Sequence, residues 1–263
     1  MPIKVAIFDM DGVVHRGDKP IFGAAQAIAA LEKAGMGVFF MTNNSSRSRE
    51  DYAKKLAGFG ISAGKESIYT SALGAARWAS GNGVKNAYVV GEAGLEAELV
   101  AQGIAIARDE NADAVIVGLD RNLTYVKIDT AMQAITRHGA LFIATNPDAI
   151  YPRENDFGPG AGAMVAAVQA ACGKKPDYVA GKPTVHLIGQ LLSDAKIKPG
   201  EALFVGDRLD TDIRCAKKAG VKSILVLTGV SSRADARSAK KSDKPGMVLE
   251  SIANITPGLL AGF

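Results

Sequence analysis

Short apolar runs rich in Val, Ile and Phe alternate along the chain with longer Ala-rich stretches whose apolar positions recur every three or four residues. The runs at 5–8, 37–42, 87–90, 114–118, 141–144, 202–205 and 223–227 predict strands. Several are apolar at consecutive positions, the pattern of strands in a parallel sheet covered on both faces. The stretches 23–34, 49–59, 73–82, 94–102, 125–138, 161–171, 184–194 and 211–219 predict helices. Strand followed by helix, repeated in this way, implies an α/β fold joined by crossover connections. No fixed-period repeat or low-complexity segment breaks the alternation, and the polar stretch 233–244 reads as an exposed loop or short helix.

Where strands end is informative. Three apolar runs stop directly at polar or acidic residues: Phe8-Asp9, Met41-Thr42-Asn43 and Val205-Gly206-Asp207. Ligands of open α/β sheets bind beyond the carboxyl ends of the strands, so Asp9, Thr42 and Asp207 can converge on one site. Residues 78–178 carry their own strand–helix pattern and supply none of these ends. The expected architecture is a Rossmann-like, doubly wound parallel core of residues 1–77 and 179–263, with an inserted α/β cap domain of residues 78–178.

Composition narrows the class. With 263 residues, 48% hydrophobic and 22% charged, the chain excludes intrinsic disorder and can bury a core without covalent staples. Lys and Arg exceed Asp and Glu by 31 to 27, a net charge of +4. These cations are scattered, the densest group being Lys240, Lys241 and Lys244, so no nucleic-acid partner is expected. Cys172 and Cys215 have no metal-ligand spacing and point to a reducing compartment. The apolar run before Asp9 is too short for a secretion signal, and no run approaches a membrane span. A cytoplasmic protein with no membrane partner is the expectation.

Two acidic clusters carry candidate chemistry. Asp9-Met10-Asp11-Gly12 follows the first strand, and Asp and Gly are common turn formers. The second cluster, Asp207-Arg208-Leu209-Asp210-Thr211-Asp212, follows the 202–205 strand. A helix N-cap at Asp210 or Thr211 accounts for one polar residue and not for the group. Clustered carboxylates near a buried sheet are costly unless paired, and they suit a hard, oxygen-seeking cation such as Mg²⁺.

Taken in order, Asp9-Met10-Asp11-Gly12, Thr42 after its strand, Lys182 in Gly181-Lys182-Pro183, and Gly206-Asp207 with Asp212 resemble the four motifs of the haloacid dehalogenase superfamily. Met41-Thr42-Asn43-Asn44-Ser45 and Gly206-Asp207-Arg208-Leu209-Asp210-Thr211-Asp212 resemble the NagD and 4-nitrophenylphosphatase branch, whose members carry a large α/β cap. The resemblance covers essentially the whole chain and implies a Mg²⁺-dependent phosphomonoesterase acting on a small phosphorylated metabolite. Asp9 is then the nucleophile that forms an aspartyl-phosphate, and Asp11 the general acid and base. Thr42, the Asn43 backbone N–H and Lys182 hold the phosphoryl group. Asp9, the Asp11 carbonyl, Asp207 and Asp212 form the metal set, Asp212 directly or through water.

The same resemblance places Asn146 and Asp148 of the cap near the leaving group, although Asn-Pro-Asp is also a good turn former. Gly158–Ala163 lacks the Gly-Lys-Ser/Thr ending of a phosphate-binding loop. Arg47 and Arg208 could guide an anionic substrate or lie in solvent. His15, His138 and His186 have no ligand spacing, and Trp78, Tyr52 and Cys215 read as packing residues. Related caps often contribute to dimers, so a homodimer is an expectation. The rival readings are a phosphomutase on the same fold and a non-catalytic phosphate-binding regulator.

Overall fold

A computed structural model describes residues 2–153 and 156–263. All four residues of β1 (Val5–Phe8) are buried, because the strand lies inside a parallel sheet with helices on both faces. A small hairpin of β2 (His15–Arg16) and β3 (Lys19–Pro20) follows. Then come α1 (Ala24–Lys33), β4 (Gly37–Thr42), α2 (Arg49–Gly58), β5 (Ile68–Thr70) and α3 (Ser71–Gly81). The chain next builds a second α/β layer from β6 (Asn86–Val90), α4 (Ala93–Ala101), β7 (Ala105–Ala107), β8 (Ala114–Val117), α5 (Tyr125–Arg137) and β9 (Leu141–Ala144). The antiparallel pair β10 (Ile150–Pro152) and β11 (Phe157–Pro159), α6 (Ala161–Cys172) and β12 (Tyr178–Val179) complete it. The first layer resumes with α7 (His186–Asp194), β13 (Ala202–Gly206), α8 (Arg214–Lys218), β14 (Lys222–Val226), α9 (Arg233–Ser238), β15 (Met247–Leu249) and α10 (Pro257–Ala261).

Among the described residues the first sheet runs β15-β14-β13-β1-β4-β5 and the second β12-β9-β8-β6-β7, with every pairing parallel. The order reverses at β1: β4 and β5 extend one way, and β13 to β15 the other. Such a switch point opens a crevice at the carboxyl ends of the strands. Phe8 pairs with Val205 on one side and Phe40 on the other, so Asp9, Thr42 and Asp207 emerge at one level.

Each sheet has two packed faces. Phe8, Phe40, Ile28, Leu31 and Leu56 fill one face of the first, and Ile7, Met41, Phe204, Leu187 and Leu191 the other. The second packs Val89, Ile116, Leu95 and Leu99 on one side, and Val117, Phe142, Ala131 and Ala134 on the other. Helix α3 serves both layers: Leu73 joins the first core, while Ala72, Ala75, Ala76 and Ala79 join the second. Trp78 stacks on Tyr178 with ring centroids 4.3 Å apart, in the packing role its sequence context predicts. No helix among the described residues is long and apolar enough to cross a membrane.

The predicted single helix over 211–219 is instead a π-helical turn, Leu209–Ile213, leading into α8. The N-cap expected from Asp210 or Thr211 is absent, since Arg208 stands at that position without a capping side chain. The Asp212 carboxylate folds back instead and accepts the N–H groups of Asp207 (3.1 Å) and Arg208 (3.0 Å).

Candidate active site

The strand ends converge as the sequence predicts. Asp9, Asp11, Thr42, Asn43, Lys182, Asp207 and Asp212 line one cleft together with Asn146 and Asp148 from the second layer. Its enclosed volume is about 60 Å³, several waters' worth on a measure where one water needs about 10–15 Å³. Leu119, Ile150, Tyr151 and Pro152 add an apolar wall from the second layer.

Lys182 stands at the centre and is 2% exposed. Its Nζ lies 2.7 Å from Asp9 Oδ1 and 2.7 Å from Asp212 Oδ1. Burial opposes the charge on the ammonium, yet the carboxylates of Asp212 and Asp9 hold its pKa above the ordinary lysine value. Burial pushes the Asp9 carboxyl up to about 7, against the pull of Lys182. Burial and the neighbouring Asp212 and Asp9 charges also raise Asp207 well above the usual carboxylate range.

Asp9, Asp207 and Asp212 each offer a carboxylate oxygen within 4.8 Å of the others. Three carboxylates against one lysine leave an excess of two negative charges, which a divalent cation would balance. The oxygens differ in availability. Asp207 Oδ2 accepts the Val230 N–H at 2.7 Å, whereas the buried Oδ1 has no hydrogen-bond partner among the described residues. Asp212 has both oxygens engaged, Oδ1 by Lys182 and Oδ2 by two backbone N–H groups. An orphaned buried carboxylate oxygen facing a second carboxylate fits a hard cation, held by Asp207 and Asp9. Gly12, at φ +85°, and Gly229 both lie against the Asp207 carboxylate, where a β-carbon would collide with it.

Thr42 Oγ1 accepts the Asn44 N–H at 3.1 Å, which fixes the turn after β4. The Asn43 side chain has a role that sequence reasoning missed. Its Nδ2 donates to the Lys182 carbonyl (2.9 Å) and to Asp148 Oδ2 (2.8 Å), while its Oδ1 accepts the Lys182 N–H (2.8 Å). One amide therefore holds the lysine loop and a second-layer carboxylate at the cleft. Repeated Asn-Asn-Ser after a strand was the available signal, but it does not reveal which partners the amide takes.

The second-layer residues separate in the same way. Asn146 Nδ2 donates to the Asn43 carbonyl at 2.6 Å, and its Oδ1 accepts the Asp148 N–H at 3.1 Å, so its polar groups hold the loop. Asp148 lies beside the cleft with Oδ2 held by Asn43, and burial raises its pKa against the opposing charge of Arg208. Arg208 lines the cleft and pairs with Asp210 at 3.1 Å, while Arg47 lies 3.8 Å from Asp18. The glycine-rich stretch before α6 packs on the same loop, Gly162 N–H donating to the Asp148 carbonyl at 2.8 Å. Asp11 borders the cleft with its carboxyl beside His15.

A family model described as haloacid dehalogenase-like hydrolase matches residues 6–105, and one described as HAD-hydrolase-like matches residues 179–255. An acid sugar phosphatase of Staphylococcus saprophyticus is 36% identical over 92% of this chain and 92% of its own length. The structure of NagD from Escherichia coli K-12 superposes with a TM-score of 0.88 at 36% identity, covering 97% of this chain and 99% of that one. A glycerol phosphate phosphatase from Mycobacterium tuberculosis, solved in complex with magnesium, superposes with a TM-score of 0.90 at 36% identity. That match covers 99% of this chain and 79% of that one.

Proposed function

This chain belongs to the haloacid dehalogenase-like hydrolases, as a phosphatase of their NagD-like branch, and on that premise we propose that it is a Mg²⁺-dependent hydrolase of small phosphomonoesters. The names of its relatives favour sugar phosphates and glycerol phosphate as the substrate class. The observation that carries the reading is the buried Asp9–Lys182–Asp212 chain beside the orphaned Asp207 Oδ1.

In this reading residues 1–77 and 179–263 form the catalytic core, and residues 78–178 the cap. Thr42 and the Asn43 backbone hold the phosphoryl oxygens. The Asp9 carboxylate attacks phosphorus in line with the leaving oxygen and becomes an aspartyl-phosphate. Asp11 gives its proton to the departing alkoxide, then takes one from the water that cleaves the acyl-phosphate bond. Lys182 neutralises charge on Asp9 and on the phosphoryl oxygens throughout. Asp9, Asp207 and the Asp11 carbonyl would hold Mg²⁺, which would supply further positive charge at the phosphoryl group. Leu119, Tyr151 and Asp148 border the space left for the leaving group.

The test is phosphate release from glycerol 3-phosphate and a panel of sugar phosphates, with magnesium and with chelator. Metal-dependent turnover that Asp9→Asn abolishes is the expected result. Turnover that survives Asp9→Asn overturns the nucleophile assignment. Release of inorganic phosphate without a sugar-bisphosphate activator separates this activity from a mutase, and binding without turnover across the panel would favour a regulator.

A further inference from the structure

His15 is 1% exposed, and neither of its ring nitrogens has a hydrogen-bond partner among the described residues. A buried polar ring left unpaired is destabilising, and such a group in a native fold calls for an explanation. The chain places the ring with care. Gly12 donates its N–H to the His15 carbonyl at 2.7 Å, and His15 and Val14 donate theirs to the Met10 carbonyl at 3.1 and 2.9 Å. This tight turn stands the imidazole behind the Asp9–Asp11 segment, with its ring tilted against Phe59 at 5.7 Å. Nδ1 then lies 3.5 Å from Asp11 Oδ1. The Asp11 carboxyl makes no hydrogen bond among the described residues and lines the open cleft, so its side chain has room to turn.

We propose that His15 is a positioning residue for Asp11, its Nδ1–H donating to Oδ1 and holding the carboxyl where the other oxygen reaches the leaving group. The proposal rests on Asp11 being the acid and base. Closing the gap by roughly half an ångström gives an ordinary N–H···O bond. The bond costs the ring nothing in packing, because Phe59 and the 10–15 turn already fix it. Without it, Asp11 spreads over several rotamers, and misplacing an acid that contributes on the order of 10²–10⁴ in rate forfeits part of that factor.

His15→Phe keeps an aromatic ring and removes the donor; His15→Asn returns an N–H near the Nδ1 position. Two substrates read the effect through kcat/KM, which reports steps up to formation of the phosphoenzyme. Glycerol 3-phosphate has an alkoxide leaving group that needs the proton, and 4-nitrophenyl phosphate has a phenolate that does not. We expect His15→Phe to lose about tenfold on glycerol 3-phosphate and less than about twofold on 4-nitrophenyl phosphate. His15→Asn should recover most of the loss. Equal losses on both substrates, or none on either, overturn the proposal. Asp11→Asn serves as the control: without the same split between substrates, the acid role itself fails, and the proposal with it. Should His15→Phe not fold, His15→Leu compared with His15→Asn gives the same reading.

Discussion

Replacing Lys182 by Met should destabilise the metal-free protein strongly and the magnesium-bound protein much less. The ammonium makes two contacts of 2.7 Å with Asp9 and Asp212 in a fully buried setting. At an effective dielectric near 20, each contact is worth about 6 kcal/mol before desolvation is counted. Most of that offsets the cost of burying the charges, and breaking one buried pair typically costs about 3–5 kcal/mol. One cation serving two carboxylates places Lys182→Met near the upper end, about 5 kcal/mol. Because the stranded carboxylates can take up protons, the cost should shrink as pH falls from 8 to 5. Bound Mg²⁺ should recover part of it, since the cluster's negative excess has grown from two to three. Urea unfolding at both pH values, in chelator and in excess magnesium, measures all three quantities. Equal stability of Lys182→Met and the parent protein at pH 8 in chelator would refute the electrostatic account of the cluster. Adding Asp212→Asn should recover some stability by removing one stranded charge, which a double-mutant cycle would register as coupling.

Burial raises Asp9 from 3.8 to about 7 in the metal-free protein, so the unfolded chain ionises first. The stability this group contributes is complete below pH 3.8 and is lost as pH rises through 7. Magnesium needs ionised ligands, so the rise in melting temperature on adding Mg²⁺ should grow between pH 5 and 8; a constant rise would contradict it. Asp207→Asn should weaken magnesium binding by at least about tenfold, whereas Asp212→Asn should affect it less, as calorimetric titration would resolve. Arg49→Met removes the partner of Glu98, whose buried carboxylate lies 3.0 Å from Arg49 Nε, and should cost about 3 kcal/mol in urea unfolding.

The sequence revealed the parts of the molecule that depend on contiguous patterns. All seven predicted strands occur, because each is an apolar run long enough to be covered on both faces. In the two parallel sheets, the described strands it misses are β5, β7, β12 and β15, each two or three residues long and each at a sheet edge. An edge strand has one neighbour, so its sequence needs little of the double-sided apolar signal. The carboxylates and Lys182 were legible because four motifs recur in order, and the strand ends then bring them together. How the oxygens are shared was not legible. Asp207 and Asp212 are equivalent as letters, and only the fold-back of the π-helical turn shows that one is fully engaged and the other has an oxygen to spare.

The two sheets present their carboxyl ends to one another, and the division of labour follows from their charges. Asp9, Asp207 and Asp212 all come from the first sheet's strand ends, and Lys182 from the loop that returns to it. The second layer faces them with Leu119 after β8 and with Asn146 and Asp148 after β9. Besides the apolar packing of α3 and the Arg49–Glu98 ion pair, it is tied to the first by hydrogen bonds at the cleft: Asn146 to the Asn43 carbonyl, Leu119 N–H to Ser45 Oγ at 3.2 Å, Gly94 N–H to the Ser46 carbonyl at 3.3 Å. These bonds all fall on residues 43–46, the turn that follows Thr42 and would hold the phosphoryl oxygens. They tie the seating of the second layer to the turn that would hold the phosphoryl group. In the proposed reaction a leaving group would meet Leu119, Tyr151 and Asp148, the second-layer side chains that border the cleft.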